Sequence, residues 1–198
     1  ALGGDGGDEL FGGYPTLLAH RLAGYYQALL PEALRRRADT LVLRHLPVSF
    51  DNISWDFRLR RFLGHYRLPA PLRHHRWLGS FTPGEQERLL LPDVKGDNPD
   101  NFLATLAQAA ESQDPLTQVS YCDVKLYLEG DILAKVDRAA MAHALEVRVP
   151  LLNRHLVDFA STLPFHLKVR GLTTKFLLRQ SLRGLLPEDI LRRPKKGF

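Results

Sequence analysis

The chain has 198 residues, 44% hydrophobic and 25% charged, an ordinary globular balance with room for a core of its own. Its 27 Lys and Arg against 22 Asp and Glu leave a formal charge of +5, and a single cysteine, Cys122, excludes an intramolecular disulfide framework. No run approaches the length of apolar residues that a membrane span needs, and the first residues lack the basic and apolar regions of a signal peptide. The expectations are therefore no membrane and a reducing, cytoplasmic setting. The missing initiator Met further predicts that the chain is part of something longer. Leucine outnumbers Val plus Ile 38 to 13, and a sheet is built mainly from β-branched residues. The fold class predicted is mainly α, with no large sheet inside this segment.

The first feature along the chain is also the densest. Residues 2–14, LGGDGGDELFGGY, hold six of the 15 glycines together with Asp5, Asp8 and Glu9. Glycine admits backbone conformations closed to other residues and lets a ligand approach the main chain. Successive amide groups in such a turn can cradle phosphate oxygens. Carboxylates would repel phosphate unless a divalent cation stands between them, and Mg²⁺ binds one or two carboxylates plus phosphate oxygens. The residues thus point to a metal-bridged phosphate site, with a ligand-free tight turn as the alternative. No Gly-Lys-Ser/Thr follows, so it is not a Walker loop, and the twelfth-position Glu of a calcium loop is missing.

Helical spacing follows over 15–30, with Leu18, Leu22, Tyr25 and Leu29, and again over about 32–45. Residues 35–76 hold ten Arg and three acids interleaved with aromatics. That composition could suit nucleic acid, but Trp55, Leu59, Phe62, Leu63 and Tyr66 recur at helical steps, which assigns them to a core stripe. No nucleic-acid partner is expected. Thr82-Pro83-Gly84-Glu85 has the form of a capping box, and residues 91–98 read as a loop. Asn98-Pro99 and Asp114-Pro115 open helices near 99–111 and 115–128, and another spans 131–144. Residues 146–150 form an extended linker, and helices near 154–162, 174–183 and 187–192 finish the chain. Cys122 reads as a small core residue, and the adjacent His74 and His75 do not suit a zinc site.

Three blocks carry a family resemblance. Residues 2–14 resemble the Ser-Gly-Glu/Asp-Gly-x-Asp-Glu-Leu-Phe-Gly-Gly-Tyr signature of the asparagine synthase (glutamine-hydrolysing) family. Residues 127–153, YLEGDILAKVDRAAMAHALEVRVPLLN, resemble its second long block, and Lys175–Arg179, Leu186-Pro187 and the basic end Arg192–Phe198 its third. The resemblance implies the helical C-terminal portion of an α/β adenine-nucleotide alpha-hydrolase-like, or ATP-pyrophosphatase, synthetase domain. Residues 1–198 would be one partial domain. The phosphate-loop half of that domain and a Cys-initiated glutaminase domain would lie elsewhere in the same protein.

The implied activity is ATP-dependent adenylation of the aspartate side-chain carboxylate, then amidation of the β-aspartyl-AMP by ammonia from glutamine. The cofactors implied are ATP and Mg²⁺; the substrates are aspartate, ATP and ammonia, and a homodimer is possible. By the same resemblance Lys175 contacts the phosphates and Asp5 takes the acidic active-site position. Asp8 holds Mg²⁺, and Gly3, Gly4, Gly6 and Gly7 lie along the nucleotide. Gly3 replaces a frequent Ser, Asp5 a frequent Glu and Asn153 a usual Asp. Lys135, Asp137 and Arg138 fit either a buried ion-pair network or a cluster reaching the nucleotide or aspartate pocket, and are carried as candidate ATP-contacting residues. Glu146 and Arg148 read as structural. A related amide-forming synthetase for another carboxylic acid, and a non-catalytic helical module, are the alternatives.

Overall fold

The computed structural model describes residues 1–47, 49, 54–79, 81–91, 94, 96 and 98–193. Parts of the loop expected over 91–98 and of the basic end beyond Arg193 lie outside the described residues. The described chain is mostly helical, and its strand-like pairings are isolated bridges. No described helix is long and apolar enough to cross a membrane. Contacts divide the chain into two units, Thr16–Cys122 and a second made of Ala1–Pro15 with Asp123–Phe198.

The Thr16–Cys122 unit is built from α2 (Pro15–Leu29), α3 (Glu32–His45), α4 (Trp55–His65), α5 (Ala70–Leu78), α6 (Pro83–Leu89), α7 (Pro99–Gln108) and α8 (Pro115–Cys122). The capping signals of the sequence act as read. Thr82 and Glu85 close a reciprocal capping box, and Ser54, to which the sequence reading gave no capping role, accepts from the Phe57 amide at 3.4 Å. The Asn98 side chain accepts from the Asp100 amide at 2.9 Å, and Asp114 accepts from the Thr117 amide at 2.9 Å. α5 packs against α8, α4 and α7, around Tyr66, Leu17, Val119, Leu103 and Ala107. Cys122 is buried, as its helical neighbours suggested.

Two sequence expectations fail here. Trp55 is 83% exposed, because it stands at the first position of α4, about two turns before the half-buried Phe62 and three before the buried Tyr66. On α2 the buried positions are Leu17, His20 and Ala23, whereas Leu22, Tyr25 and Leu29 are exposed. The inward face of α2 is organised around a histidine rather than around its largest apolar residues. α5 itself escapes the sequence reading for a similar reason: its buried residues are Ala70, Arg73, His74 and Arg76. A buried face made of arginines and a histidine leaves no apolar periodicity to read.

These polar groups are paired. Arg73 Nε donates to His20 Nδ1 at 2.9 Å and its Nη1 to the Tyr66 carbonyl, while His20 Nε2 lies 3.1 Å from His74 Nδ1. Asp39 accepts from Tyr26, Tyr66 and Arg67 at 2.7–2.9 Å, and Arg76 pairs with Asp100. Arg60 and Arg61 donate to backbone carbonyls of Leu46, Arg76 and Gly79. Much of the basic run is thus consumed inside the unit.

In the second unit the backbone past Cys122 continues as a π-helix, Asp123–Leu133, and then as α9 (Ala134–Met141). The break expected between 128 and 131 is absent, because neither proline nor a capping turn interrupts that stretch. A 3₁₀ turn at Pro150–Leu152, α10 (Arg154–Thr162), α11 (Phe165–Lys168), α12 (Phe176–Ser181) and α13 (Glu188–Arg192) follow. α11 was not legible in the sequence; four residues are too few to show a period.

Burial, with the neighbouring His74 and Arg73 adding to it, pushes His20 down from its ordinary value to about 2. A histidine held neutral in the fold contributes stability above pH 6.5, and that contribution is lost as pH falls below it. Between pH 7 and pH 5 this residue alone should remove about 2 kcal/mol. Urea melts followed by fluorescence of Trp55 and Trp77 should show the loss, and His20→Gln should flatten it.

Candidate active site

The Gly-acid segment is fixed at both ends. At its start the Ala1 amine donates to the Glu146 carbonyl at 2.7 Å, the Arg148 amide to Ala1 at 2.9 Å, and the Gly3 amide to Arg148 at 2.8 Å. This is a parallel bridge, Leu2 with Arg148, in the 146–150 stretch read as an extended linker, whose last residue, Pro150, opens a 3₁₀ turn instead. Arg148 thereby serves through its backbone. At its end the segment closes into a five-residue helix, α1 (Gly7–Phe11), whose Leu10 and Phe11 are buried against Ala160, Val124, Leu152, Leu156, Val157 and Leu178.

Glycine is required at two points of this path. Gly6 has φ +81°, and a Cβ there would overlap the Leu152 side chain. Gly12 closes α1 with φ +69°. Both lie in the left-handed region that penalises any side chain. Gly3 is packed by Asp5, Val147 and Val149, whereas a Cβ on Gly4 would meet nothing within 4 Å. The main chain at Gly4 is therefore open to approach.

Asp8, in the first turn of α1, meets Lys175 with Oδ1 to Nζ 2.9 Å; the two side chains keep 26% and 29% of their surface. Lys175 precedes α12 with φ +51° and ψ +37°, a left-handed conformation uncommon for a residue with a side chain. Its amide donates to the Gly12 carbonyl at 3.3 Å, and Nζ would lie 3.5 Å from a Cβ on Gly7. Strained backbone of this kind concentrates where side-chain placement matters for function. Lys175, Asp8 and Gly7 thus come together, and Asp5 stands beside Gly3.

Lys135, Asp137 and Arg138 sit differently. Asp137 and Arg138 are exposed on α9, and Lys135 pairs with Asp131 at 3.8 Å one helical turn away, both exposed. The Glu146–Arg148 pair is exposed as well. Neither forms the buried network that was one reading of their spacing. Asn153 caps α10, accepting from the His155 amide at 3.0 Å.

Beneath the glycine segment lies a group to which sequence reasoning gave no role. Glu9 and Asp123 are buried, the Tyr14 hydroxyl donates to Glu9, and the Tyr127 ring packs edge-on at 5.9 Å. Burial, followed by the Glu9 carboxylate, holds the Tyr14 phenol well above the ordinary range, with Asp8 and Asp123 acting in the same direction. Glu9 and Tyr14 were visible inside the motif; Asp123 carried no signal of its own.

Among the described residues no group of three or more His, Cys, Asp or Glu is placed to hold a metal by itself. Asp8 offers a hard, partly exposed carboxylate in the first turn of α1, a donor of the kind that Mg²⁺ takes one or two of alongside phosphate oxygens and water. Removing the Tyr14 hydroxyl strips a buried carboxylate of a donor, so Tyr14→Phe should cost about 1–3 kcal/mol in chemical denaturation.

The asparagine synthase family model matches residues 1–198. A Mycobacterium bovis protein assigned as a glutamine-hydrolyzing asparagine synthetase is 36% identical over the whole chain, which covers 29% of that protein. The asparagine synthetase (glutamine-hydrolyzing) 1 of Bacillus subtilis is 32% identical over the whole chain and is covered to 30%. Amidase chry2 of Gibberella zeae is 22% identical over 98% of the chain, which covers 31% of it. The chain thus spans about three-tenths of the length of the curated relatives it matches. No solved structure matches it.

Proposed function

This chain belongs to the asparagine synthase family, and from that premise we propose that it is the later part of the synthetase domain of a glutamine-dependent asparagine synthetase. The rest of that domain and a glutaminase domain would come from other parts of a longer protein. The observation that carries the reading is the meeting of Asp8 and Lys175, distant in sequence, at the glycine segment, where Nζ would lie 3.5 Å from a Cβ on Gly7.

The reaction proposed has two displacements. A side-chain carboxylate oxygen of aspartate attacks the α-phosphorus of ATP, and the bond to the β-phosphate oxygen breaks to release pyrophosphate. Ammonia then attacks the acyl carbon of β-aspartyl-AMP, AMP departs with the bridging oxygen, and a proton leaves the nitrogen. Most of the catalytic demand in the first step is positioning and neutralisation of charge on the leaving diphosphate.

Lys175 supplies a compact ammonium for that charge, already held at the glycine segment by its own backbone bond to Gly12. Asp8 would hold Mg²⁺, which when bound supplies further neutralisation of the phosphates. The amides of Gly4, Gly6 and Gly7 would line the nucleotide together with the Gly3 main chain, whose own amide is taken by Arg148, and Asp5, beside Gly3, would be the second acid. Lys135, Asp137 and Arg138 are proposed to reach nucleotide or aspartate only in the intact protein, since here they are exposed on α9. A second reading, amide formation on another carboxylic acid, draws on the whole-chain likeness to Amidase chry2.

Pyrophosphate exchange into ATP by the intact protein tests both readings. Aspartate should drive it; exchange driven by a different acid, with none by aspartate, would transfer the assignment to the second reading. Lys175→Ala and Asp8→Asn should each lower the rate at least about 100-fold, a loss of about 2.7 kcal/mol of transition-state stabilisation. The 198 residues alone should give little or no exchange.

A further inference from the structure

Gly13 lies outside the set of residues assigned a role above, yet a Cβ on it would meet closer atoms than one on Gly3, Gly6 or Gly7. A Cβ at Gly13 would overlap Asp8 Oδ1 and Lys175 Cε, and would stand 2.8 Å from Asp8 Cγ. The three nearest atoms in the way all belong to the two members of the ion pair. The Gly13 main chain is itself fixed, its amide donating to the Asp8 carbonyl at 2.8 Å. Ammonium and carboxylate therefore meet across the space where a side chain on residue 13 would be.

We propose that Gly13 is a positioning residue for the Asp8–Lys175 pair: the missing Cβ is what lets the carboxylate and the ammonium approach to 2.9 Å. A methyl group at this position has two ways out, both cheap for the fold. The obstructing atoms are the carboxylate end of Asp8 and the fourth side-chain carbon of Lys175, each at the end of a rotatable arm. Gly6 is the opposite case, since there a Cβ meets a packed leucine and the backbone itself is left-handed. Gly13→Ala should consequently part the pair while leaving α1 seated on Leu10 and Phe11. The consequence for catalysis rests on the roles proposed for Lys175 and Asp8; the placement itself does not.

The test reads the amine directly, in the intact protein with neither metal nor nucleotide. Acetic anhydride labelling followed by peptide mass spectrometry gives the acylation rate of each lysine. Held against Asp8, the Lys175 side chain keeps only 29% of its surface for the reagent to reach. Gly13→Ala and Asp8→Asn should each release that arm into solvent, so that Lys175 is acylated severalfold faster than in the parent protein. Exposed Lys125 serves as the internal standard, and buried Lys168, in the same unit, reports unfolding.

A parental Lys175 rate in Gly13→Ala overturns the proposal, because the pair has then reformed around the methyl. A parental rate in Asp8→Asn overturns it too, because the pair does not then govern the amine. Acceleration of Lys168 alongside Lys175 in Gly13→Ala would mean that the unit has opened, which equally defeats it. In pyrophosphate exchange Gly13→Ala should lower kcat about tenfold or more with the KM for aspartate little changed. Absence of exchange in the parent protein would sink the functional reading and leave the acylation result standing.

Discussion

Burial of Leu10 and Phe11 is the constraint on which the candidate site depends. A helix of five residues has no stability of its own, because the cost of its first turn exceeds what so few hydrogen bonds return. α1 exists because those two side chains are enclosed by α10, the π-helix and α12. Their enclosure fixes the register of the whole short helix. Asp8 then stands partly exposed at its first turn, Glu9 is drawn inside, and Gly12 must turn left-handed to let the chain leave. The acids are where they are because two apolar residues are where they are.

That arrangement gathers carboxylates at an electrostatic cost. Asp8, Glu9 and Asp123 all act on the Tyr14 phenol, and two of the three are buried. Negative charges crowded in a poorly solvated place raise one another's energy unless each has a donor. Glu9 is met by the phenol, a neutral donor whose own ionisation is thereby suppressed. Asp8 is met by a full cation. The difference matters chemically: a phenol bond satisfies a structural carboxylate, whereas an exchangeable ammonium leaves Asp8 available to a competing cation. A pair keeping a quarter or more of its surface is screened by water, so its stabilising value is modest. Its geometry, enforced by a strained residue 175 and an absent side chain at residue 13, is the better guide to its purpose.

How much of this was legible in sequence depends on how local the determinant is. Helix starts at Thr82, Asn98 and Asp114 could be read because capping chemistry is settled within a few residues. The convergence of Asp8 with Lys175 was reached only through the family resemblance, because no spacing rule links residues so far apart. Asp123 was invisible for the same reason. Trp55 and the α2 stripe were misjudged because periodicity identifies a face without saying whether anything covers it. The run from 115 to 141 was divided in two because charged and glycine residues near 129–131 imitate a turn, yet a π-helix passes through them.

The misjudged face of α2 and the unread α5 have a single physical origin, the polar interior of the Thr16–Cys122 unit. Arg73 Nε can only donate, so His20 Nδ1 must accept, and the neutral ring then carries its hydrogen on Nε2. That hydrogen can only be given to His74 Nδ1, 3.1 Å away, which assigns the second ring as an acceptor there too. One arginine thereby sets the tautomers of two histidines in sequence. The guanidinium is solvated by a carbonyl and an imidazole, both neutral, and burial lowers its own affinity for the proton. Asp39 and Asp100 take up Arg67 and Arg76 in the ordinary way. A strongly basic segment can therefore be a core composition, since arginine brings a long apolar stem and five directed donors to places where neighbouring acceptors are already fixed.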